Sequence, residues 1–228
     1  MSISLFLPVR RGSERVKNKN TRSFANFENG IFELKLSQLE NLDSLDEVII
    51  SSNDSRCMEI AETYKNRIKN LVIDERPDHL GSSTTKLKDL ILHVGHLSSC
   101  ENILWTHVTN PLFTEQNYKN AIDVYLHQKK NGFDSLVSGY IIKEFLLDKE
   151  TNKIINNTTN LKWPRTQDLT DLFAINNGVF IAKRERYLLG ERLGVKPFYL
   201  ENDKISSLDI DYEDDFLIAE AVYEKLEK

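Results

Sequence analysis

Cysteine is almost missing from this chain, which holds two, Cys57 and Cys100. Neither belongs to a C-x-x-C pair, and two thiols build no disulfide framework, so both read as inert. Long apolar runs are missing as well. The N-terminal run from Ile3 to Val9 is short, and Arg10 and Arg11 follow it rather than precede it. That order does not suit a signal peptide, and no run approaches bilayer length, which leaves a buried strand and no membrane partner. There is no excess of positive charge. A formal net charge of −5 argues against coating nucleic acid or an anionic surface. The Walker pattern G-x-x-x-x-G-K, the dinucleotide fingerprint and the G-x-S-x-G elbow are absent, as are internal repeats and low-complexity tracts. What remains, 40% apolar and 29% charged over 228 residues, suffices for one core, so residues 1–228 read as a single domain of a cytoplasmic enzyme.

What is present alternates strand and helix. Ser4–Val9, Glu47–Ser51, Leu71–Asp74, Asn102–His107, Ser135–Val137 and Val179–Ala182 read as strands. Helical spacing runs through Ile31–Leu42, Cys57–Tyr64, Thr85–Leu97, Glu115–Gln128 and Asp214–Leu226. Repeated β-α units of this length predict an α/β, Rossmann-like fold, a mostly parallel mixed sheet with helices on both faces. Ligands of such folds sit at the carboxyl ends of the strands. Residues 143–172 break the rhythm with a polar stretch containing Trp163-Pro164-Arg165, an excursion that covers the site or meets a partner.

Two segments carry chemistry. Arg10–Arg22, RRGSERVKNKNTR, has six basic side chains against one acidic, directly after the first strand. A triphosphate carries about four negative charges, which clustered cations neutralise at short range. Gly12 permits close backbone approach, and Ser13 offers a hydroxyl and an amide. The plain alternative is a solvated basic turn. Near the C-terminus, Ser206–Asp215 reads SSLDIDYEDD. On an extended strand Asp209 and Asp211 share a face and offer hard oxygens to magnesium. The plain alternative is that Asp211 caps the last helix.

Together these residues resemble the acylneuraminate cytidylyltransferase family. LPVRRGSERVKNKN is similar to I-P-A-R-x-G-S-x-x-x-x-x-K-N, with Arg10, Gly12, Ser13, Lys19 and Asn20 on the motif. RPDHLGSSTT (Arg76 to Thr85) resembles R-P-x-x-L-A-x-D-T, and HVTNPLF (His107 to Phe113) resembles Q-P-T-S-P-L-R. Asn177-Gly178 before VFIA resembles N-G-A-I-Y-I, and SLDIDYEDDFLIAEA resembles S-I-D-I-D-x-x-x-D-x-x-x-A-E. The resemblance implies transfer of CMP from CTP to the 2-hydroxyl of an acidic 2-keto-3-deoxy sugar, with Mg2+ on Asp209 and Asp211. It implies phosphate binding by Arg10, Lys19 and Arg15, with Gly12, Ser13 and Asn20 beside the nucleotide. Arg76 with Ser82, Thr84 and Thr85 would meet the base. His107, Thr109, Asn110 and Asn177 would meet the sugar. It further implies a homodimer, in which the excursion would carry Arg165 to the neighbouring subunit's sugar carboxylate.

Departures from the pattern concern the acceptor. Glu14 stands where the family often has Lys, and Arg15 one place on gives a spacing also similar to 3-deoxy-manno-octulosonate cytidylyltransferases. His107, Phe113 and Ser83 replace the usual Gln, Arg and Asp, and Ile175-Asn176 lacks the usual Arg. A glycosyltransferase using Asp209-Ile210-Asp211 as its D-x-D would need acceptor-binding sequence after the motif, where only one helix follows. A catalytically dead nucleotide-binding regulator would not need both charged segments. His93 and His96 lack a nearby third ligand and read as surface or packing residues. Trp105 reads as core, and Asn53 and Asp54 as helix caps.

Overall fold

A computed structural model of the chain describes residues 1–82 and 84–227. In chain order its elements are β1 (Ile3–Val9), α1 (Gly30–Glu40), β2 (Glu47–Ser52), α2 (Ser55–Glu62), β3 (Leu71–Glu75), α3 (Asp78–Gly81), α4 (Leu87–Leu97) and β4 (Asn102–Trp105). Then follow α5 (Glu115–Lys130), β5 (Ser135–Ile142), β6 (Leu147–Asp148), β7 (Lys153–Ile154), β8 (Leu172–Lys183), α6 (Arg184–Tyr187), β9 (Pro197–Glu201) and α7 (Glu213–Leu226).

Seven strands form one sheet in the order β3-β2-β1-β4-β8-β5-β9. β8 is antiparallel to both its neighbours, and the other pairs are parallel. The α/β class and the mixed, mostly parallel sheet are as the sequence predicts. The burial of β1 explains why its sequence does not alternate: Leu5, Leu7 and Val9 enter a core beneath α1, α2 and α5, while Phe6 enters a second core with Trp105 and α4. A strand covered on both faces is apolar throughout.

A third, smaller cluster positions the site. Val16 and Phe24 from the basic segment pack with Ile210 of the acidic segment and Phe216 and Ala219 of α7. The Phe24 and Phe216 rings meet edge to face at 5.4 Å. Apolar contacts therefore hold two oppositely charged segments, almost 200 positions apart, side by side.

Several expected elements change. Asp209 and Asp211 lie in no strand; residues 208–211 pair in no ladder, although Ile210 between them is buried and its N–H donates to the Thr109 carbonyl at 2.8 Å. Nor does Asp211 cap α7: the carboxylate of Asp215 accepts the backbone N–H groups of Asp211 and Tyr212. β8 starts at Leu172, well before Val179; its first half does not read as strand because Asn176-Asn177, with Asn177 at a φ of 57°, interrupts the apolar pattern. β5 is likewise longer, pairing Ile142 with Leu172. β9 was not expected; a half-exposed edge strand beginning at proline carries little sequence signal. The β6–β7 hairpin lies within the 143–172 excursion, where Phe145, Leu147, Ile155, Leu161 and Trp163 are exposed.

Candidate active site

At the carboxyl ends of β1 and β4 lies a cleft of about 370 Å³, lined by Arg10, Ser13, Glu14, Arg15, Lys19, Asn20, His107 and Thr109 among others. The basic segment wraps it because Gly12, at a φ of 78°, turns the backbone away from β1, and a Cβ there would meet nothing within 4 Å. The turn is pinned at Arg11, whose N–H donates to Asn53 Oδ1 at 2.9 Å. Asn20 Nδ2 closes it by donating to the Arg10 carbonyl at 3.3 Å.

The acidic segment forms the next wall. Arg15 pairs with Asp211 at 2.6 Å and lies 5.0 Å from the Tyr212 ring centre. Lys19 Nζ donates to the Ile210 carbonyl at 2.6 Å. Burial holds the Lys19 ammonium below its ordinary value, opposed by Asp209 and Asp211. Asp209 Oδ2 accepts from Asn177 Nδ2 at 2.9 Å, whereas Oδ1 is buried with no hydrogen-bond partner among the described residues. Burial raises this carboxyl above its ordinary value, with Thr109 and Asn177 beside it pulling the other way. A buried carboxylate oxygen outside hydrogen-bond distance of a donor is one that a hard divalent ion would suit. Among the described residues no three acidic, His or Cys side chains gather to hold a metal on their own. Two aspartates would therefore share such an ion with phosphate oxygens and water, as magnesium prefers.

His107 presents a neutral ring. Burial, then Arg192, pushes its pKa down to about 3. Its Nε2 accepts from Trp105 Nε1 at 2.6 Å, so the ring proton sits on Nδ1. Asn110, fully buried, donates through Nδ2 to the carbonyls of Asn176 and Leu208, at 2.7 and 3.1 Å.

A second cleft, about 410 Å³, adjoins Asp209. Tyr140, Ile142, Leu146, Ile175 and Leu208 give it apolar walls, and Lys204, paired with Glu144 at 3.0 Å, supplies a cation at its rim. Of these the sequence marks only Ile175 by number. Tyr140 and Ile142 come from the long end of β5, Leu146 and Glu144 from the start of the 143–172 excursion, Lys204 from the turn after β9, and Leu208 from the acidic segment.

The structure does not bring every expected residue to the cleft. Arg76 is buried and donates through Nε to Ser51 Oγ at 3.0 Å, a structural engagement beneath the strand ends. Ser82 and Thr84 bond each other at 2.7 Å and Thr85 bonds the His79 carbonyl at 2.8 Å, outside the cleft lining; Ser83 lies outside the described residues. Arg165 forms two bonds to Asp168 at 2.8 and 2.9 Å on the exposed excursion and is not among the residues that line either cleft. His93 pairs with Asp74 at 2.9 Å, Trp105 is core, and Asp54 caps α2 by accepting from Arg56 N–H.

Residues 5–228 match the family model described as Cytidylyltransferase. Two pseudaminic acid cytidylyltransferases of Campylobacter jejuni subsp. jejuni are each 25% identical to this chain. The alignment with that of serotype O:2 spans 213 residues and covers 89% of each chain; with that of serotype O:23/36 it spans 227 residues and covers 95% of this chain and 94% of the other. Among solved structures, a CMP:2-keto-3-deoxy-manno-octonic acid synthetase complexed with CTP superposes with a TM-score of 0.66 at 9% identity, covering 99% of this chain and all of that one. A 4-diphosphocytidyl-2C-methyl-D-erythritol synthase from Anaerococcus prevotii reaches the same score at 14% identity and 98% coverage of both chains. These identities speak for the fold alone.

Proposed function

This chain belongs to the cytidylyltransferase family, and on that premise we propose that it transfers CMP from CTP to the anomeric 2-hydroxyl of a nonulosonic, sialic-acid-like sugar and releases pyrophosphate. The observation that carries this reading is the unpaired Asp209 oxygen, set beside a cationic cleft and an apolar one.

In this reading the first cleft takes the triphosphate. Arg10, Lys19 and Arg15 neutralise its oxygens, and the amides around Gly12 and Ser13 complete the cradle. Asp209 and Asp211 would hold magnesium, which would offset phosphate charge and polarise the α-phosphorus. The sugar occupies the second cleft with its hydroxyl toward Asp209. Its oxygen attacks the α-phosphorus and gives up its proton to solvent, and the bond to the bridging oxygen breaks, that oxygen leaving with pyrophosphate. Little covalent chemistry is asked of the protein; alignment and charge neutralisation lower the barrier.

The apolar lining of Tyr140, Ile142, Leu146, Ile175 and Leu208 favours an acceptor bearing methyl and acylamino groups over a fully hydroxylated octulosonate. The Arg15-to-Lys19 spacing keeps the octulosonate as the second reading. Pyrophosphate release from CTP, measured with an acylated nonulosonic acid and separately with 3-deoxy-manno-octulosonate, tests the choice. We expect at least tenfold higher kcat/KM for the former; on the order of 1.4 kcal/mol of selective binding suffices. Release of a nucleoside diphosphate from a sugar donor instead would replace the whole reading by glycosyl transfer.

The excursion is read as a homodimer contact, supported by its cluster of exposed apolar side chains. Arg165 then reaches the partner's sugar carboxylate, exchanging its exposed ion pair with Asp168 for a bidentate one. Arg165→Ala is expected to raise the KM for sugar roughly tenfold and leave that for CTP nearly unchanged. Mixing Arg165→Ala chains with Asp209→Asn/Asp211→Asn chains should restore activity, since one of two sites is then intact. No rescue in proven mixed dimers would confine Arg165 to its own subunit.

A further inference from the structure

Lys35, in the middle of α1, is fully buried, yet no carboxylate faces it among the described residues. Its Nζ donates to the carbonyls of Asn110 and Phe113 and to Tyr118 Oη, each at 3.0 Å. The protons can be counted along this network. The Gly178 carbonyl can only accept, so the Thr106 hydroxyl, 2.7 Å away, donates to it. Tyr118 Oη, 2.7 Å from Thr106 Oγ1, must then donate to Thr106. All three partners of Lys35 are left as acceptors, and the network closes with three protons on Nζ. Burial opposes this charge and pushes the ammonium down to about 7. The fold thus keeps a costly group where an apolar side chain would pack.

What the cost secures lies one step further on. Lys35 grips the loop between β4 and α5 at Asn110 and Phe113. That loop grips the chain on both sides of Asp209: Asn110 Nδ2 bonds the Leu208 carbonyl at 3.1 Å, and the Thr109 carbonyl accepts the Ile210 N–H at 2.8 Å. We propose that Lys35 is a positioning residue, which fixes the β4–α5 loop from beneath and through it sets Asp209 in the cleft. The proposal rests on the functional reading above only for its kinetic consequence.

The test is Lys35→Met, which fills the volume and removes the donors. Hydrogen exchange of the enzyme without added nucleotide is compared with wild type at three segments: 107–113, 208–211, and Glu47–Ser52 in β2 as a distant control. We expect at least a tenfold loss of protection in the first two and none in β2. With CTP, magnesium and acceptor sugar, kcat should fall on the order of tenfold and by more than the KM for CTP rises, since Arg10 and the Gly12 turn do not depend on the loosened segment while Lys19 and Arg15 touch it. Unchanged protection at 208–211, or an equal loss in β2, would overturn the proposal, the latter by reducing Lys35 to a general stabiliser. If Lys35→Met does not fold, Tyr118→Phe removes one acceptor from the same network and is held to the same ordering of the three segments. Should wild type show no cytidylyl transfer, the exchange pattern still decides the role of Lys35, while the proposed function fails separately.

Discussion

Turnover of the Asp209→Asn/Asp211→Asn enzyme is expected to drop on the order of a thousandfold or more, with the fold retained. The magnitude follows from removing both hard-oxygen ligands at a site where charge moves during the reaction. Retention of the fold follows from the environment of Asp209. Burial raises its carboxyl above the ordinary value. A carboxyl whose folded pKa is raised destabilises the fold in its charged form, fully at neutral pH, and that penalty is relieved as pH falls through the raised value. Asn at position 209 removes the penalty, so ligand-free Asp209→Asn should melt no lower than wild type. Losing activity while holding melting temperature is the mark of a residue that serves a ligand. Full activity in the double variant, or unfolding that accounts for the loss, would remove the metal assignment.

The second large effect is expected at Lys19 and Arg10. Lys19→Ala should cost on the order of a hundredfold in kcat/KM, because a half-buried cation acts in a less screened setting than an exposed one. Arg10→Ala should follow closely. Two other arginines of the same segment separate a built site from a diffuse patch. Arg11 is exposed and uses its backbone N–H on Asn53, so Arg11→Ala should be nearly silent. Arg22 pairs with Glu213 at 2.6 Å and lies 3.7 Å from the Phe216 ring centre, fastening the segment to α7. Arg22→Ala should therefore lower the melting temperature by a few degrees and turnover only a few-fold. Kinetics and thermal melts on the four single variants check this ordering. Equal kinetic losses at all four would mean that the segment acts only through its summed charge.

Much of this arrangement was legible in the sequence, and the legible parts share a cause. Strands covered on both faces are apolar throughout, so β1 and β2 stand out, and cations directly after a buried strand mark a cationic cleft at its carboxyl end. The acidic pair was legible as chemistry but not as structure: Asp209 and Asp211 sit in an irregular segment held by Thr109, Asn110 and Lys19 from elsewhere in the chain. No local pattern encodes bonds to positions about 100 and 190 residues away. The same holds for Lys35, which reads as an ordinary polar position on α1 until Asn110, Phe113 and Tyr118 close around it. Arg76 is a case where a motif match leaves open what the structure shows, a guanidinium engaged with Ser51 in the ligand-free chain. The second cleft was hidden because β5 and β8 extend past the residues that look like strands, and Tyr140, Ile142 and Ile175 on those extensions form part of its apolar wall.

In the proposed reaction the sugar's own hydroxyl oxygen attacks the α-phosphorus of CTP. A nonulosonic acid carrying ¹⁸O at its anomeric hydroxyl, turned over with CTP and magnesium and followed by ³¹P NMR, tests it directly. One new phosphodiester resonance is expected, shifted by ¹⁸O bonded to phosphorus, with unlabelled pyrophosphate in equal amount. A phosphodiester without the isotope shift, or a nucleoside diphosphate in place of pyrophosphate, would contradict it.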